Sequence, residues 1–468
     1  MARSIFVGGT GSHVGKSWTT TAICRYLRRR GFRVAPFKAQ NMSNNSFPCR
    51  NGGEIGRAQV AQAEACGLEP ESDMNPVLLK PNSSTGCQVV LDGKVWRNFA
   101  AREYYEHFDF LLEHVLAAYE RLAARYDYVV IEGAGSVVEM NLKDRDLVNM
   151  GLARRLNAPA LLVADIDRGG VFAAIVGTFC LLDSEERRLT RAFAINRFRG
   201  DLSLFGDGVR MLEERSGVPC LGVFPMQEDL SLDPEDGVSL EENPSRIPAE
   251  ARVAIVRFPR ISNFTDFRLL PSPAWISRPV NQVFDLVILP GTKNTIGDLA
   301  WMRKVGLDEW VLRQHREGAT VLGVCGGYQM LGARIDDPEA VESHDAAAEG
   351  LGLLPVETVL AADKITRVVD ACTHGGARFS AYEIHMGRTT RPDGAVPFAT
   401  LGDGGEDGMR AERCIGTYLH GALENRAVLE ELLGCPIAEP APKERTYDGL
   451  ADWFEQHADL RAFEELYL

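Results

Sequence analysis

A glycine-rich loop near the N-terminus restricts the possible folds of this chain more than any other feature. Ser4–Val7 is an apolar run typical of a buried strand, and it leads directly into GGTGSHVGKS at residues 8–17. A helical pattern follows, and Phe32–Phe37 is predicted as the next strand. In such a loop the backbone N–H groups surround phosphates, Lys16 adds a positive charge, and the Ser17 hydroxyl can bind Mg²⁺. We therefore expect an α/β nucleotide-binding domain here.

The loop departs from the common phosphate-loop spacing at one position. Thr10 stands where the pattern G-x-x-x-x-G-K-[ST] has its first glycine, and Gly9 lies one residue earlier. This spacing resembles the variant P-loop of NTPases of the dethiobiotin-synthetase and partition-ATPase group. Asn196 stands where related proteins read the base with an asparagine, so the resemblance implies that role here. The expected ATP contacts are Gly9, Thr10, Gly11, Gly15, Lys16, Ser17 and Asn196.

Further apolar runs continue the expected sheet. They are Tyr128–Ile131, Pro159–Asp165, Phe193–Arg197 and Cys220–Pro225. Glu132 follows the first of them, and the carboxyl ends of parallel strands face the ligand crevice. Its carboxylate is therefore placed to bind Mg²⁺ together with Ser17, although a simple capping role is the alternative. Polar loops at the same edge are candidate walls of a substrate site, with contacts from Gln40, Asn41, Asn44, Asn45, Asp165 and Arg168.

A second candidate site lies in the C-terminal half, at VLGVCGGYQMLG, residues 321–332. Cys325 falls between a predicted strand and a predicted helix, as in a nucleophile elbow. The following helix N-terminus would favour a thiolate, and the Gly326 N–H would face a developing oxyanion. The alternative is a buried, inert thiol. The stretch resembles the elbow of class I glutamine amidotransferases, which have a flavodoxin-like fold. The resemblance places a second oxyanion donor at Gly291 or its neighbour, after the strand Leu286–Leu289.

His420, in the segment GTYLHG, is the expected partner of Cys325. It would take the thiol proton and return a proton to the departing ammonia. Many amidotransferases of this class have a glutamate two residues after the histidine, where this chain has Ala422. Either a dyad suffices or another group orients His420, for which Glu424 is one candidate. His385 is expected to be structural, because nothing near it in the sequence offers it a partner.

Composition excludes several other classes of protein. The 468 residues carry a net charge of −14, which argues against a general nucleic-acid binder. The ten cysteines occur singly, no signal peptide is recognised, and no apolar run is long enough to span a membrane. We therefore expect a cytoplasmic protein; the sequence does not indicate its oligomeric state. The predicted division is an ATP-dependent synthetase domain at 1–230, a linker at 231–250, an amidotransferase domain at 251–430 and a helical extension at 431–468, packing on the second domain.

Several segments together resemble the cobyric acid synthase family. They are PFKAQNMSNNS, GRAQVAQAEA, DMNPVLLKP, DLVNMGLA, ADIDRGGVFA and INRFRGD. The resemblance implies ATP and Mg²⁺ as cofactors and glutamine as the nitrogen donor. It also implies amidation of the b, d, e and g carboxylates of adenosylcobyrinic acid a,c-diamide. The alternatives are amidation of another carboxylate, such as cobyrinic acid itself or a cell-wall lipid carrier, and a partition-type ATPase switch, which should not release glutamate from glutamine.

Overall fold

The protein is described here from a computed structural model. The structure describes residues 2–50, 52–83, 86–227, 230, 232–233, 250–343 and 345–468. Most of the predicted linker, residues 231–250, therefore lies outside the described residues. Among the described residues, none of the helices combines the length and the apolar character needed to cross a membrane.

The first domain alternates strands and helices. Its strands are β1 (Arg3–Gly9), β2 (Val34–Phe37), β3 (Gln40–Met42), β4 (Ser46–Pro48), β5 (Glu54–Gly56), β6 (Val77–Pro81), β7 (Gly86–Leu91), β8 (Lys94–Ala100), β9 (Tyr128–Glu132), β10 (Ala160–Asp165), β11 (Thr190–Phe198) and β12 (Cys220–Pro225). Its helices are α1 (Lys16–Arg29), α2 (Arg57–Cys66), α3 (Ala101–Tyr104), α4 (Phe108–Ala123), α5 (Met150–Arg155), α6 (Val171–Leu181), α7 (Ser184–Leu189) and α8 (Gly206–Ser216).

A parallel sheet in the order β12-β11-β10-β1-β9-β2 forms the centre of this domain. Phe6 of β1 pairs with Ala160 of β10 on one side and with Ile131 of β9 on the other. Apolar residues are buried on both faces of the sheet, which explains why these strands are continuous hydrophobic runs. The connections after β1 and β10 leave toward opposite edges of the sheet. A crevice therefore opens at the carboxyl ends of these two strands, the usual ligand position in such folds.

Residues 40–100 form a smaller layer against the second domain. Its sheet has the order β3-β6-β7-β8, and β4 and β5 make a separate antiparallel pair. Glu54–Gly56 pairs with Ser46–Pro48, so the helix that follows begins only at Arg57. The Phe47 ring lies 4.8 Å from the Tyr382 ring of the second domain. This layer thus joins the two halves of the molecule.

The second domain also has a central parallel sheet. Its strands are β13 (Val253–Val256), β14 (Ala274–Ile276), β15 (Leu286–Leu289), β16 (Thr320–Val324), β17 (Arg334–Asp336), β18 (Ala347–Glu349), β19 (Glu357–Thr373), β20 (Arg378–Thr390), β21 (Ala399–Leu401), β22 (Glu406–Asp407), β23 (Met409–Ala411) and β24 (Cys414–Thr417). The order is β14-β13-β15-β16-β24-β23, with β23 antiparallel, and the long β19–β20 hairpin anchors a second sheet. The helices that follow are α9 (Thr295–Lys304), α10 (Leu307–Arg316), α11 (Gly326–Leu331), α12 (Arg426–Leu433), α13 (Lys443–His457) and α14 (Leu460–Tyr467).

The last two helices, α13 and α14, pack on the first domain, and the prediction that this extension packs on the second was wrong. The Trp453 ring lies 4.6 Å from the Phe224 ring of β12, and Trp453 Nε1 donates to Pro225 O at 3.1 Å. Arg29 of α1 pairs with Asp452 at 2.6 Å. The apolar side of α13 thus completes the core beside α1, and burial on that surface decides the packing.

Candidate active site

Cys325 lies on a strained turn between β16 and α11. Its backbone angles are φ 52° and ψ −110°, outside the regions that residues with side chains ordinarily adopt. Gly327 permits the turn, because a Cβ atom there would lie 1.8 Å from the Leu289 carbonyl oxygen. The turn therefore has the strained strand-to-helix geometry of a nucleophile elbow.

Gly291 and Gly326, the two predicted oxyanion donors, lie on neighbouring turns at the ends of β15 and β16. These strands are paired in parallel, so their carboxyl ends are adjacent. A Cβ atom on Gly326 would lie 3.1 Å from Thr292 N, and one on Gly291 would lie 3.1 Å from His420 Cε1. The structure therefore brings both glycines to the cysteine and the histidine. Their oxyanion role stays a prediction.

His420 contacts the Asp266 carboxylate and interacts with Cys325. Asp266 Oδ2 lies 2.7 Å from His420 Nδ1, and Asp266 Oδ1 accepts a hydrogen bond from Gly421 N at 3.1 Å. The side chains of His420 and Asp266 are 1% and 2% exposed. Cys325 is near enough to His420 to raise the pKa of the imidazole, and its Sγ donates to Ile384 O at 3.8 Å. Cys325, His420 and Asp266 therefore form a buried triad.

Asp266 is the group that orients His420. Glu424, the candidate for that role, was therefore wrong. Glu424 instead pairs with Arg57 at 3.1 Å and with Arg268 at 2.6 Å. Asp266 precedes His420 by 154 positions, in a short turn after β13. One signal in the sequence could have pointed to it: a carboxylate between Phe264 and Phe267 is costly to bury unless it has a partner.

The triad changes the protonation of His420. Burial alone would lower the pKa of its imidazole. The Asp266 carboxylate and Cys325 outweigh this effect and raise the pKa of His420 to about 10. The imidazole can therefore accept the thiol proton and retain it as an imidazolium ion.

His385 has partners that the sequence did not reveal. Its Nε2 lies 3.3 Å from Glu383 Oε1, its Nδ1 lies 2.9 Å from Gly387 O, and its ring stacks on Tyr418 at 3.8 Å. The expectation that nothing pairs with it was therefore wrong. The two polar contacts and the stacked ring fix its position beside the cavity of Cys325.

The cavity beside Cys325 is bounded by both domains. Lys293 and Gln329 of the second domain line it together with Asn44 and Lys80 of the first. Its volume is about 30 Å³, which is enough for a molecule the size of water. Anything released at the thiol is therefore released at the domain interface.

The phosphate loop occupies the crevice at the end of β1. Lys16 Nζ donates to the carbonyl oxygens of Gly11 at 2.8 Å and Gly135 at 2.9 Å. Gly15 has φ 102°, and a Cβ atom on it would lie 1.9 Å from Asn196 Nδ2. Lys16 also borders a cleft of about 480 Å³ together with Ser17 and Asn41, within the range for small-molecule sites.

Glu132 is fully buried and lies behind Ser17 and Lys38, which line this cleft. Its Oε1 accepts hydrogen bonds from Ser17 Oγ at 2.9 Å and Lys38 Nζ at 3.0 Å, and its Oε2 accepts one from Gln62 Nε2. The predicted pairing of Ser17 with Glu132 is therefore present as a contact. Lys38 and Gln62 were not recognised from the sequence.

The other predicted contacts fall into two groups. Asn196 supports the loop, since its Nδ2 donates to Val14 O at 3.0 Å; its role in reading a base stays a prediction. Gln40, Asn41, Asp165 and Arg168 lie on the first-domain side, where Asp165 pairs with Arg197 at 3.0 Å. Asn44 lines the Cys325 cavity, and Asn45 Oδ1 accepts from Phe264 N of the second domain at 3.3 Å. Of the predicted substrate residues, Asn41 therefore lines the nucleotide cleft, Gln40 lines a neighbouring pocket, and Asn44 and Asn45 lie at the domain interface.

Comparison with known proteins identifies both domains. Residues 5–240 match the CobQ/CobB/MinD/ParA nucleotide binding domain, and residues 252–428 match the CobB/CobQ-like glutamine amidotransferase domain. The cobyric acid synthase of Syntrophobacter fumaroxidans is 46% identical over 98% of both chains. That of Parabacteroides distasonis is 44% identical over 98% of this chain and 97% of its own. That of Sorangium cellulosum is 46% identical over 98% of this chain and 97% of its own. On this evidence the chain belongs to the cobyric acid synthase family.

Proposed function

We propose that this chain uses ATP and glutamine to amidate the b, d, e and g carboxylates of adenosylcobyrinic acid a,c-diamide, giving adenosylcobyric acid. Membership of the cobyric acid synthase family supports the corrinoid substrate. One observation carries the two-domain chemistry: Cys325, the nucleophile of the triad, borders a cavity whose wall is completed by Asn44 and Lys80 of the nucleotide-binding domain. Ammonia made there reaches the domain that activates the acceptor.

The amidase half-reaction follows from the triad. His420 removes the proton of Cys325, and the thiolate attacks the amide carbon of glutamine. The N–H groups of Gly291 and Gly326 stabilise the tetrahedral oxyanion. His420 then gives its proton to the leaving nitrogen, which departs as ammonia and leaves a thioester. Water hydrolyses the thioester, releasing glutamate and the free thiol.

The synthetase half-reaction belongs to the phosphate loop. A corrinoid carboxylate attacks the γ-phosphorus of ATP, which yields an acyl phosphate and ADP. Lys16 offsets negative charge on the transferring group. Ammonia then attacks the acyl carbon and displaces inorganic phosphate, leaving the amide. Four rounds convert four carboxylates.

Ser17 and Glu132 are the residues that would hold Mg²⁺. Their oxygen atoms lie 2.9 Å apart and are hard donors, so the pair fits a magnesium ion that takes its other ligands from phosphate and water. Among the described residues no cluster of three or more His, Cys, Asp or Glu side chains offers a complete cage, which agrees with this partial set. The ion would supply charge neutralisation at the phosphates. Lys38 and Gln62 hold the Glu132 carboxylate in position.

An apolar pocket beside the nucleotide cleft is the proposed binding site for one edge of the corrinoid. Its volume is about 240 Å³, and Gln40 and Gly135 line it, the latter being shared with the nucleotide cleft. Met42, Met140 and Leu142, which also line it, are unusually exposed for apolar side chains, at 58%, 49% and 37%. They give an apolar ring a surface to lie on near the phosphates.

All ten cysteines are free thiols, which supports a reducing compartment such as the cytoplasm.

Mass spectrometry of the corrinoid tests the proposal. The purified protein is incubated with MgATP, adenosylcobyrinic acid a,c-diamide and either glutamine or ammonium chloride, in parallel with Cys325→Ala. We expect stepwise conversion of four carboxylates to amides by the unmodified protein. The variant should lose the reaction with glutamine and retain it with ammonium chloride. Glutamine hydrolysis without any change in the diamide would overturn the substrate, and no amidation by the variant with ammonium chloride would overturn the separation of the two sites.

A further inference from the structure

Five charged side chains surround the cavity of Cys325, and only some of them satisfy one another. Lys80, Lys293, Lys364 and Glu342 line the cavity, and Glu54 lies directly behind it. All five side chains are at most 10% exposed. Burying a charged group costs free energy unless the group has a well-placed partner. The partners of each group therefore indicate whether it stabilises the fold or is available to a ligand.

Glu54 forms ion pairs with two of the three lysines. Lys80 Nζ lies 2.8 Å from Glu54 Oε2, and Lys364 Nζ contacts Glu54 Oε1. Lys364 comes from the second domain, so this cluster joins the domains. Each of the three groups has a partner at hydrogen-bonding distance, although the cluster as a whole carries one excess positive charge.

Lys293 and Glu342 remain, and they are poorly matched to each other. Lys293 Nζ lies 4.0 Å from Glu342 Oε1, which is too far for a hydrogen bond. Glu342 Oε2 accepts longer contacts from Thr295 N at 3.3 Å and Thr295 Oγ1 at 3.2 Å. Burial raises the pKa of the Glu342 carboxyl and lowers the pKa of Lys293, so their mutual attraction does not offset the cost of burial. A buried ion pair kept for stability would be expected to close to a shorter distance.

Both groups lie beside the elbow. Thr295, which contacts Glu342, has its Oγ1 3.2 Å from the position of a Cβ atom on Gly326. Lys293 follows Thr292, whose backbone N is 3.1 Å from that same position. A buried cation and a buried anion that make no close ion pair with each other thus lie side by side near the nucleophile. A free α-amino acid carries the complementary pair of charges at one end and, in glutamine, the reactive amide at the other.

We infer that Lys293 and Glu342 are the specificity-determining residues for free glutamine, Lys293 binding its α-carboxylate and Glu342 its α-ammonium group. The cavity of about 30 Å³ is too small for glutamine while the two side chains are together, so they separate as the zwitterion enters between them. This inference rests on the glutaminase half of the proposed function. It explains why a buried lysine and a buried glutamate are placed together without a close ion pair.

Substrates that lack one charge test each residue separately. Glutaramate has no α-ammonium group, and 4-aminobutanamide has no α-carboxylate; both keep the reactive amide. Release of the acid product, which is glutamate, glutarate or 4-aminobutyrate, is measured with the full-length protein in the presence of MgATP and the diamide, because the amidation consumes the ammonia. Removing a hydrogen-bonded charged partner costs roughly a factor of ten to a hundred in kcat/KM, so we expect the unmodified protein to prefer glutamine to each analogue by at least about tenfold.

Each of two variants should lose the preference for glutamine over one analogue and keep the preference over the other. Glu342→Gln should lose most of the preference over glutaramate and keep that over 4-aminobutanamide, and Lys293→Met should do the reverse. Glu342→Gln should hydrolyse glutaramate, and Lys293→Met should hydrolyse 4-aminobutanamide, at the rate of the unmodified protein. Those rates show that each variant is folded and that its elbow is intact. Glu349→Gln, an exposed carboxylate on β18, is the matched control and should change neither preference.

Three results would overturn the inference. The first is an unmodified protein that hydrolyses glutamine but does not discriminate against the analogues, a result that can be obtained without any variant. The second is a variant that slows glutamine and both analogues by the same factor, which would assign the residue to the fold or the nucleophile. The third is an unmodified protein that hydrolyses no glutamine at all, which would overturn the proposed glutaminase activity as well. Only that third result affects the proposed function.

Discussion

Replacing Asp266 by asparagine tests the triad most directly. The change keeps the size of the side chain and an oxygen that can accept from Gly421 N, as Asp266 Oδ1 does at 3.1 Å. It puts an amide, or an uncharged oxygen, opposite His420 Nδ1, where the carboxylate now lies at 2.7 Å. The imidazole then loses the anion that stabilises its protonated form.

The expected loss follows from the burial of both groups, which are 1% and 2% exposed. Removing one partner of a buried charge pair costs about 3–5 kcal/mol. If that stabilisation is lost from the transition state, glutaminase kcat falls by roughly one hundred-fold to several thousand-fold, at about 1.4 kcal/mol per factor of ten. The pKa of His420, which Asp266 raises, should fall. The alkaline limb of the pH–rate profile should therefore move toward neutral pH.

The assay measures glutamate release across pH and, separately, amidation with ammonium chloride, which does not need the triad and should persist. Glu424→Gln is the comparison, because Glu424 pairs with Arg57 and Arg268 and not with His420. We expect it to leave the alkaline limb in place. An Asp266→Asn protein that keeps a third or more of its glutaminase kcat, with an unmoved alkaline limb, would refute the assignment of Asp266 to the triad.

Three further predictions concern the other elements of the structure. Lys16→Met should reduce amidation with either nitrogen source by at least about a hundred-fold in a coupled ADP assay while glutamine hydrolysis persists, because only the phosphate site loses its charge; equal loss of both activities would contradict this. Gly327→Ala should abolish glutaminase activity, because its Cβ atom would meet the Leu289 carbonyl oxygen at 1.8 Å, and near-normal glutamate release would contradict the elbow geometry. Trp453→Ala should lower the free energy of unfolding of the first domain by about 3–5 kcal/mol in urea titration. An unchanged urea midpoint would show that α13 does not stabilise that domain.

The local elements follow closely from local patterns in the sequence. Leu286–Leu289 and Cys220–Pro225 begin and end in the structure at the predicted residues. Such strands are apolar throughout because both of their faces are covered, so a short apolar run is a strong local signal. The phosphate loop and the cysteine elbow are equally local, since each needs a strand, glycines at a tight turn and a helix in that order. Both domains could therefore be recognised without coordinates.

The sequence by itself determined where the strands of the first domain's central sheet, the phosphate loop and the elbow lie, because each is built by residues that are neighbours in the chain. Only the tertiary structure decided that Asp266 partners His420 and that α13 packs on α1. It also decided that Lys38 and Gln62 contact Glu132. These contacts join residues far apart in the chain, and they form where burial makes an unpaired charge or an uncovered apolar surface costly. A pattern of residue types shows that such a cost exists, and the packing of the whole fold decides which distant residue offsets it.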